Sequence, residues 1–214
     1  MNKLWTYGDS FSESFELNKP VDDTDWKIPY LKWKGYVPKI YSEILANDLN
    51  LVLMNKSLSG IDNHTIFERV VKDIDEIKES DIVIINWTST LRFRIINKWN
   101  MFSSIVPNDY KYNGNYYRIS EDTLNDIVVM RDSVRYSDEV NYFIKIINKS
   151  LPNNKVIHWT PFENNSTIDA YTISDLQTIW HETNEKVNDY HFSELGHIHL
   201  SRILYDKLSF QKII

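Results

Sequence analysis

Ser10 closes the segment Leu4-Trp5-Thr6-Tyr7-Gly8-Asp9-Ser10, where an apolar run meets a glycine, a carboxylate and a hydroxyl. Far along the chain, Asp189 and His191 flank a single residue in Asn188-Asp189-Tyr190-His191. Cleavage of an ester by serine needs a nucleophilic hydroxyl and an imidazole to take its proton. It also needs a carboxylate to orient the imidazole and donors for the developing oxyanion. Ser10, His191 and Asp189 provide the first three. The backbone N–H groups of Ser10 and Gly60 can supply two donors, and a polar side chain from Asn86-Trp87-Thr88 a third. Glycine suits an oxyanion loop because its backbone approaches substrate with no Cβ in the way. Taken alone, Gly8-Asp9-Ser10 is only a turn after a strand, since all three residue types favour turns.

These residues must be brought together by the elements between them. Consecutive apolar positions at Leu4–Tyr7, Leu51–Met54, Ile82–Ile85 and Val156–Trp159 predict strands buried on both faces of a parallel sheet. Helical spacing follows at Val37–Leu49, Ile66–Ile77, Glu139–Leu151 and Ser193–Phe210, the last capped by Ser193. Strand and helix alternating in this way predict an open α/β sheet with helices on both faces, whose ligands sit beyond the carboxyl ends of the strands. Each polar cluster fits that rim. Gly8-Asp9-Ser10 follows the first strand, Asn55 to Asn63 the second and Asn86 to Arg92 the third, while Asn188 to His191 precedes the last helix. No linker or repeat divides the chain, so residues 1–214 are expected to form one domain. Two irregular, aromatic-rich insertions interrupt it near 16–35 and 92–134.

Composition removes several classes of function. The 214 residues carry a net charge of −6, and their Lys and Arg never form a run, which argues against a nucleic-acid partner. With no cysteine there is no disulfide, thiolate nucleophile or Cys-based zinc site. No apolar run approaches the ~18 residues of a membrane span, and no leader pattern is visible, so a soluble cytoplasmic protein without a membrane partner is expected. Seven Trp and thirteen Tyr are many, and such rings line sugar and ester sites as well as cores. The Asn-, Ile- and Lys-rich usage is compatible with an AT-rich genome, viral or bacterial.

Four pieces in order, "YGDSFS", "NKSLSGIDN", "NWTSTLR" and "NDYHFSELGH", resemble the SGNH (GDSL) hydrolases. The resemblance implies a three-layer α/β/α sandwich with a flavodoxin-like sheet and an esterase, lipase or carbohydrate deacetylase activity without a cofactor. It makes Ser10 the nucleophile, Gly60 an oxyanion donor, and His191 the base with Asp189 behind it. The third piece departs from the family's Gly-x-Asn-Asp. Thr88 lies where the Asn donor is expected, with Asn86 beside it, as in a sub-branch with a Trp-Thr-Ser segment. Arg92 is then a candidate contact for an anionic or hydroxyl-rich group. The family's usual Asp-x-x-His spacing would select Asn188, but only a carboxylate stabilises the imidazolium, which favours Asp189.

The reading that follows is a serine esterase removing a small acyl group, an O-acetyl, from a carbohydrate. An acyltransferase with the same site and a glycan-binding module that has lost turnover are the alternatives. Asn63 is a candidate for substrate binding and also a candidate helix cap. Asn55 either holds the nucleophile loop or bonds its own turn, and His197 reads as a packed histidine. His64, His158, His181 and His199 match no zinc spacing, and Asp22-Asp23-Thr24-Asp25 lacks a calcium ligand set, so no metal is expected. The aromatic insertions are read as cover for the sheet rim rather than a dedicated sugar platform.

Overall fold

The computed structural model describes residues 1–14, 32, 35–90, 93–95, 101–103, 110–112, 115–117, 133–162, 168–173 and 191–210. Five parallel strands form the central sheet: β1 (Lys3–Tyr7), β2 (Val52–Asn55), β3 (Ile82–Asn86), β8 (Lys155–Thr160) and β9 (Tyr171–Thr172). Their order across the sheet is β2-β1-β3-β8-β9. Four of the five are the strands expected from apolar runs. The fifth, β9, is a two-residue edge strand too short to announce itself in a sequence. In the region 92–134, read above as irregular, two small antiparallel hairpins occur. One pairs β4 (Phe93–Ile95) with β5 (Met101–Ser103), and the other pairs β6 (Tyr110–Tyr112) with β7 (Asn115–Tyr117). Most of the other insertion, near 16–35, lies outside the described residues, as do His181 and the Asp22–Asp25 cluster.

The period of two along each strand separates the core into two halves. Leu4, Ile84, Ile157 and Trp159 face one side, where they pack with Tyr41 and Leu45 of α1 (Tyr41–Asp48) and Leu200 and Leu204 of α4 (Glu194–Phe210). Trp5, Tyr7, Val83 and Ile85 face the other. There they meet Ile66 and Val70 of α2 (Asn63–Asp73) and Val140, Ile144 and Ile147 of α3 (Ser133–Ser150). Both faces are therefore covered, which is why the strands carry continuous apolar runs. The result is a three-layer α/β/α sandwich, and the strand order is that of flavodoxin-like sheets. α4 begins as expected, with Gly196 N–H donating to Ser193 Oγ at 3.1 Å. Among the described residues, no helix is long and apolar enough to cross a membrane.

Candidate active site

Position 10 is a gap in an otherwise buried stretch. Residues 4–9 and 11–14 are all buried, while Ser10 is partly exposed just beyond the carboxyl end of β1, an inner strand of the sheet. The chain turns there because the N–H groups of Ser12 and Glu13 both donate to the Asp9 carbonyl, at 3.0 and 3.1 Å. Gly8 is required by close approach: a Cβ at that position would lie 2.7 Å from the Asn86 Cβ. Four further contacts fasten the turn. Asn55 Nδ2 donates to the Ser12 carbonyl at 2.7 Å, and the Ser12 and Tyr41 hydroxyls share a hydrogen bond of 2.9 Å. Ser14 Oγ donates to Glu43 of α1, and Ser59 Oγ donates to Glu13. Asn55 also accepts the Ser57 N–H at 2.9 Å, so it serves both the Ser10 turn and its own.

Asp9 is fully buried, and its carboxylate is spoken for by three donors. Oδ1 accepts the Phe11 N–H at 3.1 Å and Asn86 Nδ2 at 2.9 Å, while Oδ2 accepts the Thr88 hydroxyl at 2.6 Å. A buried carboxylate needs such partners to remain folded in. This changes the reading of the third block. A threonine has one hydroxyl proton, and that of Thr88 is committed to Asp9 instead of facing an oxyanion. Asn86 is likewise buried at the end of β3 with its amide directed to Asp9. Asn63 is not the helix cap: Asp62 holds that place, accepting the Thr65 N–H at 2.7 Å. Nor is Asn63 presented to a ligand. Its amide grips the Thr88 backbone, donating to the carbonyl at 3.0 Å and accepting the N–H at 2.8 Å.

Gly60 fits an oxyanion loop. It is exposed, its φ of +78° lies in the left-handed region that favours glycine, and nothing lies within 4 Å of where a Cβ would stand. His191, partly exposed, lies just before α4, and its ring centroid is 5.2 Å from that of Phe11. Phe11 also meets Phe192 at 5.3 Å and Phe162 edge-on at 5.7 Å, so the residue next to Ser10 is the hub of the aromatic wall that carries His191. The structure thus brings Ser10 and His191, from distant parts of the chain, to one rim of the sheet. Asp189, Asn188 and Arg92 lie outside the described residues. His197 is packed, stacked on Tyr41 and accepting the Tyr41 N–H on Nδ1 at 3.3 Å.

A buried histidine outside any metal-ligand spacing also supports this region. His158 on β8 accepts Trp87 Nε1–H on Nδ1 at 3.2 Å, which leaves the ring proton on Nε2, 3.0 Å from Asn148 Oδ1 of α3. Burial pushes its pKa down to about 3, so the ring is neutral and its two bonds hold Trp87 in place. Trp87 in turn sits between Asn86 and Thr88, the two residues that bind Asp9.

This fold is shared with solved ester-cleaving enzymes. The chain is similar to the psychrotrophic esterase EstA from Pseudoalteromonas sp., with a TM-score of 0.51 and 12% identity over 98% of this chain and 97% of that one. It is similar to the lipase Lip_vut3 from a goat rumen metagenome, with a TM-score of 0.50 and 10% identity over the whole of both chains. An acetyl xylan esterase, Est2A from Butyrivibrio proteoclasticus, gives a TM-score of 0.50 and 14% identity over 97% of this chain but 63% of its own. The likeness is one of architecture, the three-layer α/β/α sandwich built on a parallel sheet. No family model matches the chain, and no curated protein matches it in sequence.

Proposed function

We propose that the protein is a serine esterase that removes a small acyl group, an O-acetyl, from a carbohydrate. The observation that carries this reading is the partly exposed Ser10 on a tightly fastened turn, with the His191 ring on the wall built around Phe11. In this reading His191 takes the Ser10 proton as Oγ attacks the acyl carbonyl, and Asp189 supports the imidazolium. The Ser10 and Gly60 N–H groups receive the oxyanion. The sugar oxygen leaves with the proton from His191, and water, activated by the same ring, releases the acyl group. The carbohydrate class is supported by the likeness to an acetyl xylan esterase and by the Trp- and Tyr-rich sequence.

A fluorophosphonate probe tests the proposal. It is expected to label Ser10 in the wild type and to leave Ser10→Ala and His191→Ala unlabelled, with acetate released from an acetylated xylan by the wild type alone. Removal of a triad member costs ~10⁴-fold or more in rate. Absence of labelling between about pH 6 and 9, around the ordinary imidazole range, together with no acetate release, would turn the reading toward a glycan-binding module.

A further inference from the structure

Glu13 is a carboxylate that the proposed reaction does not use, yet it is 2% exposed and sits three residues after the nucleophile. Its backbone belongs to the nucleophile turn, through its N–H bond to the Asp9 carbonyl at 3.1 Å. Its side chain reaches the other loop, where Oε2 accepts the Ser59 hydroxyl. That loop runs beside β1, with Lys56 N–H on the Thr6 carbonyl at 2.8 Å and Leu58 N–H on the Gly8 carbonyl at 3.0 Å. Beyond Leu58 the chain emerges, and Leu58, Ser59 and Gly60 are all exposed.

The direction of the Gly60 N–H is set by the plane of the Ser59–Gly60 peptide. Gly60 has no side chain to hold that plane, and the space around it is open. A charge-assisted bond donated by the preceding hydroxyl to a buried carboxylate supplies the missing restraint. We infer that Glu13 is a positioning residue. By anchoring Ser59 to the nucleophile turn, it fixes the Gly60 N–H relative to the Ser10 N–H, so that both donors meet one oxyanion. The inference rests on the esterase reading above and adds to it a residue that touches no substrate.

The test compares Glu13→Ala, Glu13→Gln, Ser59→Ala and the Glu13→Ala/Ser59→Ala double variant. Each is assayed with p-nitrophenyl acetate and with the fluorophosphonate probe, after a thermal melt shows that it is folded. Glu13→Ala is expected to lower kcat ~10-fold or more with KM within about twofold, since a displaced oxyanion donor acts on the transition state. Glu13→Gln, which keeps an acceptor for Ser59, recovers most of the rate. Ser59→Ala, altered on the exposed side of the contact, loses as much as Glu13→Ala, and the double variant loses no more than either. Wild-type rates in folded Glu13→Ala, losses that multiply in the double variant, or a Glu13→Gln as slow as Glu13→Ala would each overturn the inference. Failure of the probe to label wild-type Ser10 would instead remove the esterase reading beneath it.

Discussion

The neutral His158 ring makes stability depend on pH in a direction that can be worked out. In the folded protein its pKa is about 3, against 6.5 for the ordinary imidazole. Between those values the unfolded chain binds a proton that the folded chain refuses, so stability rises with pH and is lost as pH falls below 6.5. From the two values, the loss relative to pH 7.5 is about 1 kcal/mol at pH 5.5 and about 2 kcal/mol at pH 5. Urea unfolding of the wild type at pH 7.5, 5.5 and 5 measures this loss together with that of every other titrating group. His158→Asn removes the titration while leaving an oxygen near the place of Nδ1 to accept from Trp87. Subtracting its pH dependence isolates the ring, and the wild type is expected to lose about 2 kcal/mol more than the variant between pH 7.5 and 5. Parallel curves would mean that the ring takes up a proton freely in the fold. The Trp87–His158–Asn148 chain would then be wrongly drawn.

Other substitutions separate structural from catalytic roles. Thr88→Val strips one donor from the buried Asp9 and is expected to cost about 1–3 kcal/mol in urea unfolding with only a modest loss of kcat. A 100-fold or larger fall in kcat at unchanged stability, the order expected for a lost oxyanion donor, would return Thr88 to that role. Gly8→Ala and Gly60→Ala should differ in kind. The first forces a Cβ to 2.7 Å from the Asn86 Cβ and is expected to lower the melting temperature strongly. The second meets no atom but strains a φ of +78°, costing about 1–2 kcal/mol in unfolding experiments. Equal melting temperatures for the two would contradict the packing at Gly8. Asn55→Ala leaves the Ser57 N–H and the Ser12 carbonyl without that amide, and about 1–3 kcal/mol of stability should go with it.

The sheet was legible because a strand covered on both faces cannot hide its apolar run, as Ile82–Ile85 and Val156–Trp159 illustrate. That Ser10 and His191 lie at one rim was legible because the ends of parallel strands gather there, whatever lies between them in sequence. What escaped was the direction of side chains. Asp62 and Asn63 are adjacent residues of types that both cap helices, and only the structure shows that Asp62 does so while Asn63 turns to Thr88. Thr88 falls where a donor was expected, but a neighbouring buried carboxylate claims its hydroxyl. Glu13 stands between Ser12 and Ser14 and matches no motif. Its side chain bonds to a partner 46 residues away, a pairing that no local pattern reveals. The hairpin strands Tyr110–Tyr112 and Asn115–Tyr117 are three residues each, too few to show a period.

Tyr41 touches both halves of the proposed relay while belonging to neither. Its hydroxyl meets Ser12 in the turn after β1, and its backbone N–H meets His197 in the helix that follows His191. One residue of α1 therefore ties the turn that carries Ser10 and the helix that follows His191 to the same point of the scaffold. Screens for variants that gain stability should spare this tyrosine, because loosening it would unhitch two groups at once.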